Sequence, residues 1–204
     1  MLRVEQIYVE GWDKNFSYLL YEEGSREAAV IDPNGRVERI LEAIERKGLR
    51  LRYLINTHSH RDHIEHNDLF RERFSLRCAM HVEEPYSGRE VAFQDGERWS
   101  LGGEFFTFLH TPGHTPGSSC ILAGDSLISG DTLFVGRCGR TTFAGGSAEQ
   151  MFDSMQRLRR LPPQTRIFPG HHYGQWPTST IEKELTYNRC LRCTRLEEFL
   201  ELGI

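Results

Sequence analysis

The stretch Thr57-His58-Ser59-His60-Arg61-Asp62-His63, directly after the apolar run Leu51 to Ile55, constrains this chain more than any other part of its sequence. Three imidazoles and a carboxylate fall within six residues. In extended backbone successive side chains alternate sides, so His58 and His60 project together, and a turn after them swings Asp62 and His63 elsewhere. That is a ligand array at the end of a strand, and the fold must bring partners to it.

Three later segments offer those partners. His114 stands in Thr111-Pro112-Gly113-His114-Thr115-Pro116-Gly117, Asp131 in Ser129-Gly130-Asp131-Thr132, and His171 in Pro169-Gly170-His171-His172. Each follows a β-like apolar run and sits among glycine or proline, where a chain leaving a strand turns and where loops carry function. Seven donors exceed the roughly four that zinc takes and the roughly six of an octahedral site, so two adjacent cations fit better than one. Nitrogen and carboxylate donors without thiolate suit a catalytic centre open to water and leave zinc, iron and manganese all admissible.

The motif His58-Ser59-His60-Arg61-Asp62-His63, followed in order by His114, Asp131 and His171, resembles the metallo-β-lactamase superfamily. The wording Thr111–Ser118 and Gly130-Asp131-Thr132-Leu133-Phe134, with Cys138-Gly139-Arg140 after it, is similar to the glyoxalase II (hydroxyacylglutathione hydrolase) and persulfide dioxygenase branches. The likeness runs from about Ile7 to Tyr173. It implies an α+β fold, a four-layer αββα sandwich of two mixed β-sheets. A catalytic domain over 1–175 and a short C-terminal helical extension over 176–204, packed on it, are expected.

The resemblance assigns His58, His60 and His114 to one metal, Asp62, His63 and His171 to the other, and Asp131 to both. A carboxylate has two oxygens and can bridge two cations where an imidazole cannot. The expected cofactors are therefore two divalent ions, zinc or else iron or manganese. Such a pair lowers the pKa of a bound water from about 15.7 toward about 7, which gives hydroxide to attack a thioester carbonyl. Asp62 and His63 carry the catalytic assignment. The leaving thiolate, whose conjugate acid has a pKa near 8.5, needs no strong proton donor. The family also often carries an aspartate like Asp32, in the turn Asp32-Pro33-Asn34-Gly35, that supports the metal loop.

Arg140 and Tyr173 stand where glyoxalase II relatives contact glutathione. Cys138, in the glycine-rich loop Val135–Arg140, is the third expected substrate contact; a surface salt bridge is the alternative for Arg140 and packing for Cys138. Departures accompany the likeness. Thr141-Thr142-Phe143 replaces the aromatic expected after the basic residue, Glu65 and His66 stand where relatives carry glycines, and the chain after His171 is short. The first reading is a metal-dependent hydrolase of a glutathione-like thioester. The alternative is a persulfide dioxygenase holding a single Fe(II) through His58, His114 and Asp131, the facial two-histidine, one-carboxylate arrangement. A non-catalytic metal-binding module and a lactam hydrolase are weaker readings.

Composition narrows the partners. The net charge is −4 with no long basic block, so the attraction on which nucleic-acid binding depends is missing, and a small thiol ester or persulfide is the expected substrate. No apolar run is long enough to span a bilayer, and Met1–Gln6 lacks the pattern of a secretion signal, so the cytoplasm is expected. Five cysteines, an odd number, argue for free thiols rather than a disulfide framework. Cys190-Leu191-Arg192-Cys193 is a lone C-x-x-C pair with no second pair to support a redox or metal role.

Along the chain, strands are predicted at Val4–Val9, Phe16–Glu22, Ala28–Ile31 and Leu51–Asn56, with a helix from Val37 closed by Gly48. One helix is predicted over Ile64–Phe74, with Glu65 and His66 facing solvent. Leu76–His81 reads as a short strand, and Glu83–Trp99 as an irregular surface connection with one short helix at most. Strands follow at Phe105–His110, Ser119–Ala123, Leu127–Ser129 and Arg166–Phe168. Capping boxes at Ser147–Gln150 and Ser179–Glu182 open helices, and Leu191–Leu202 reads as the last helix.

Overall fold

The computed structural model describes all residues, 1–204. Its first half is a six-stranded mixed sheet. β1 (Leu2–Tyr8), β2 (Phe16–Glu22) and β3 (Glu27–Ile31) pair antiparallel, and after helix α1 (Val37–Lys47) strand β4 (Arg50–Ile55) joins β3 in parallel. The one-turn helix α2 (Arg61–Ile64) and α3 (Asn67–Phe74) lead to β5 (Cys78–His81) and β6 (Val91–Phe93), both parallel to β4.

The second half repeats the idea. β7 (Arg98–Leu101), β8 (Glu104–His110), β9 (Ser119–Ala123) and β10 (Ser126–Gly130) form an antiparallel run. A small hairpin of β11 (Leu133–Phe134) and β12 (Arg137–Cys138) and helix α4 (Ala148–Leu158) precede β13 (Arg166–Pro169), which lies parallel to β10. β14 (Ser179–Thr180) closes the edge, followed by α5 (Ile181–Tyr187), α6 (Arg189–Arg192) and α7 (Leu196–Leu200).

Side-chain alternation explains the layering. Phe16, Tyr18 and Leu20 of β2 point one way, into a core shared with Ile55 and Phe93 of the first sheet and Phe106, Phe108, Ile121 and Phe168 of the second. Leu19 points the other way, into a second core with Val30, Ile40, Ile44 and Phe70, where α1 and α3 cover the sheet. Leu127 and Ile167 meet Met151, Met155, Leu191 and Phe199 beneath α4, α6 and α7. Helices, sheet, sheet and helices thus stack in four layers, the αββα sandwich expected from the sequence. Apolar residues on both faces of β2 are what two-sided burial requires.

Several local expectations are corrected. The Ile64–Phe74 helix is two helices broken at Glu65 and His66, because both side chains are held by other segments. Glu65 accepts from the Gly35 N–H (3.0 Å) and the Trp12 indole (3.2 Å), and His66 Nε2 lies 2.8 Å from the Gly35 carbonyl. Glu83–Trp99 contains β6 and the start of β7 and no helix. At the second capping box the cap is Thr180, which accepts from Lys183 N, one residue later than expected. Ser147 does cap α4 by accepting from the Gln150 N–H, but the Gln150 side chain does not reach back, because the Ser147 N–H donates instead to the Gly113 carbonyl (2.9 Å). Leu191–Leu202 is split between α6 and α7.

Candidate metal centre

The donors meet because parallel strands deliver their ends to one rim. β10 and β13 run side by side with Gly130 opposite Pro169, so Asp131 and His171 emerge together. His58 and His60 leave β4, Asp62 and His63 ride on α2, and His114 lies in the β8–β9 loop. The Ser119 N–H donates to the Thr57 carbonyl (3.0 Å), tying the rims of the two sheets together. Gly170 must be glycine here, since a Cβ would stand 2.3 Å from Asp131 Oδ1.

All seven expected donors converge. His60 Nδ1 is 3.1 Å from His58 Nε2 and 2.9 Å from His114 Nε2. His171 Nε2 is 3.2 Å from His63 Nε2 and 3.5 Å from Asp62 Oδ2. Asp131 sits between the two groups: Oδ2 is 3.5 Å from His114 Nε2 and 3.2 Å from His171 Nε2, while Oδ1 is 3.3 Å from His63 Nε2. Donor atoms fall into three overlapping triads, His58–His60–His114, His58–His63–Asp131 and Asp62–His63–His171, each within 4.8 Å.

The arrangement fits bound cations. Imidazole nitrogens that face one another across about 3 Å repel unless a proton or a cation lies between them. Asp131 Oδ1 is buried and has no hydrogen-bond partner, an orphan that a metal would satisfy. Burial, followed by the neighbouring His63, holds His58 well below its usual pKa. It is therefore neutral and has a lone pair to give at neutral pH. Burial opposes charge on Asp131 as well, yet His171 and His63 hold its carboxyl well below the ordinary range. On His63 burial is outweighed by Asp131 and Asp32, which raise it, so a proton competes with metal there.

The outward nitrogens are fixed by other groups, which selects the tautomer. His114 Nδ1 lies 2.7 Å from the Arg140 carbonyl and His171 Nδ1 2.7 Å from the Asp13 carbonyl, so each Nδ1–H donates and each Nε2 is turned inward toward the other donors. Asp32, nearly inaccessible at 1% exposure, accepts from Thr57 N (2.8 Å) and Thr57 Oγ1 (2.7 Å) and holds His63 Nδ1 at 2.9 Å.

Two supports were not legible in the sequence. Asn15 donates to the Asp62 carbonyl (3.1 Å) and to Asp62 Oδ2 (3.0 Å). Glu84, 2% exposed, accepts from the Ser59 N–H (2.8 Å) through one oxygen and from Gly117 N (2.9 Å) and Thr115 Oγ1 (2.7 Å) through the other. It thereby clamps the loop of His58 and His60 to the loop of His114. A lone asparagine after a turn and a glutamate in a polar stretch carry no local signal of either role.

His60, Asp62, His114, Asp131 and His171 form the floor of an open cleft of about 590 Å³, walled by Asp13, Phe134, Arg137, Arg140, Phe143 and Tyr173, with His58 and His63 buried behind them. Arg61, Arg137 and Arg140 also reach it, each resting on an aromatic ring: Trp12 at 4.3 Å, Tyr173 at 5.4 Å and Phe143 at 5.1 Å. None of the three has a carboxylate partner, unlike Arg39, Arg71 and Arg157 elsewhere. The Tyr173 hydroxyl is already engaged with Asp13, and its ring stacks on His171 (4.9 Å). Cys138 borders the cleft, but its thiol turns to Cys190.

Residues 11–171 match the model of the metallo-beta-lactamase superfamily. A probable polyketide biosynthesis zinc-dependent hydrolase, BaeB, of Bacillus velezensis is 30% identical over 95% of this chain and 88% of its own length. A hydroxyacylglutathione hydrolase of Methylococcus capsulatus is 39% identical over 86% of this chain and 68% of its own. The mitochondrial persulfide dioxygenase ETHE1 of Homo sapiens is 35% identical over 92% and 75%. Among solved structures, ETHE1 from Myxococcus xanthus superposes with a TM-score of 0.89 at 34% identity, covering 99% of this chain and 89% of that one.

Proposed function

This chain belongs to the metallo-β-lactamase superfamily, and from that premise we propose that it is a metal-dependent hydrolase cleaving thioesters of an anionic, glutathione-like thiol. The observation that carries the reading is the position of Asp131 between two complete donor groups. His58, His60 and His114 would hold one cation, Asp62, His63 and His171 a second, and Asp131 both. Bound there, divalent cations supply a water acidic enough to ionise near neutral pH and a Lewis acid for a carbonyl oxygen.

The chain's own residues do the rest. Asn15 and Asp32 fix Asp62 and His63, so these donors keep their orientation through a turnover. The three arginines without ion-pair partners are placed to take the carboxylates of a thiol such as glutathione, since a guanidinium pairs with a carboxylate in a two-pronged fork. Phe134 and Phe143 give the acyl portion an apolar wall. A thiolate leaves without help from a strong acid, and none of the wall residues supplies one.

A second reading is a persulfide dioxygenase with a single iron on His58, His114 and Asp131. The comparable identity of the human persulfide dioxygenase supports it. One preparation of measured metal content, assayed for lactoylglutathione cleavage and for oxygen uptake with glutathione persulfide, separates the two. Thioester cleavage tracking two metals per chain upholds the hydrolase. Oxygen uptake tracking one iron, without cleavage, replaces it.

A further inference from the structure

Of the five cysteines, two from distant parts of the chain face each other. Cys138 Sγ lies 2.7 Å from Cys190 Sγ, and the Cys138 N–H also points at that sulfur (3.2 Å). Cys138 ends the β11–β12 hairpin that follows Asp131, and Cys190 lies in α6 of the C-terminal segment. Their meeting is not a chance of side-chain rotamers, because the backbones are locked together next door. The buried Asn188 amide donates to the Phe134 (3.1 Å) and Arg137 (3.0 Å) carbonyls, joining the start of α6 to both strands of the hairpin. The sequence-adjacent thiol, Cys193, instead donates to the Arg189 carbonyl of its own helix (3.2 Å). Cys78 and Cys120 are buried in the two outer cores with no sulfur partner.

We infer that Cys138 and Cys190 form a reversible disulfide, a redox modification site opened to the catalytic cleft by Cys138. Cys190 is fully buried, whereas Cys138 borders the cleft at 4% exposure, so an oxidant meets Cys138 first. The chemistry is thiol–disulfide exchange with a small disulfide RSSR. The Cys138 sulfur attacks one sulfur of RSSR, the R–S–S–R bond breaks, and RSH departs with the Cys138 proton. The Cys190 sulfur then attacks Cys138 Sγ, the mixed disulfide breaks, and a second RSH leaves with the Cys190 proton. Two protein thiols are oxidised and one small disulfide is reduced to two thiols; excess thiol runs the sequence backward. A cleft shaped for a thiol-bearing substrate admits that thiol's own disulfide, but the exchange is independent of which reaction the metal centre performs.

The test uses the full chain carrying C193S, which removes the more exposed competing thiol. The protein is equilibrated with glutathione disulfide, alkylated, digested without reduction and mapped by mass spectrometry. The expected result is a peptide joining Cys138 to Cys190 and the loss of two alkylatable thiols, both restored by dithiothreitol. In C190S/C193S the glutathione adduct should stop on Cys138; in C138S/C193S Cys190 should remain unmodified. The unsubstituted chain, mapped in parallel, guards against variants that fail to fold. Cys138 and Cys190 both recovered as free thiols, or a Cys190–Cys193 link in the unsubstituted chain, would overturn the inference.

Discussion

Asp32 shows how much one side chain beyond the donors can decide. Its two oxygens serve the Thr57 N–H, the Thr57 hydroxyl and His63 Nδ1, and its own backbone is held at φ 49° to do so. Asp32→Asn replaces one acceptor with an NH₂ that must face a donor. We expect metal affinity to fall about 10–100-fold, read by chelator competition, with the circular dichroism spectrum unchanged. Glu84→Gln sets an amide NH₂ against Ser59 N–H or Gly117 N–H and should cost about 1–3 kcal/mol in urea unfolding. At the cleft wall, Arg137→Gln should raise KM for lactoylglutathione several-fold with little change in kcat. It should leave a neutral thioester such as an N-acetylcysteamine ester unaffected, as expected of a group that binds substrate and transition state alike. The seven donors are legible at this scale because each stands in a run of glycine, proline or further histidine at a strand end. Asn15 and Glu84 are not, because their partners lie 47 and 25 to 33 residues away and no local pattern joins them.

Elements are tied across the sandwich by ring stacks. Phe93 of β6 lies on Phe108 of β8, 3.8 Å between centroids and 11° from parallel, both wholly buried. Phe108→Ala should cost about 3–5 kcal/mol of stability by chemical denaturation, the usual penalty for an emptied aromatic site. At the ends of β5 and β8 His81 stacks on His110 (3.8 Å, 13°). Burial, followed by the neighbouring His110 imidazole, lowers His81 from 6.5 to about 4. Its neutral form is thus favoured in the folded chain: the stabilisation is complete above pH 6.5 and is lost as pH falls through about 4, where the unfolded chain already binds the proton. In thermal melts between pH 7 and 4, His81→Phe, which keeps a stacking ring, should lose less stability than the unsubstituted chain. The long strands and α1 are legible because alternation and Gly48 mark them. β6 is not, since three residues give no period. The break between α2 and α3 is hidden as well, for it is imposed by Gly35 and Trp12 rather than by local propensity.

The molecule as a whole divides the donors between its halves: His58, His60, Asp62 and His63 come from the first, His114, Asp131 and His171 from the second. No helix is long and apolar enough to cross a membrane. Stripping metal with a chelator should lower Tm, and returning it at about 100 times Kd should restore roughly 2.7 kcal/mol, followed by differential scanning calorimetry. The order of strand-like and helical runs agrees with the layered architecture but does not by itself specify it; that architecture is legible through the resemblance that the metal motif carries. The placement of α6 and α7 is not, because it depends on Asn188 and Cys190 reaching a hairpin about fifty residues upstream. A centre built from both halves behaves as a rivet through two plates. Any slackening of the shared aromatic seam should loosen the grip on metal at the rim, so that Phe108→Ala, which touches no donor, weakens zinc or iron retention as well as stability.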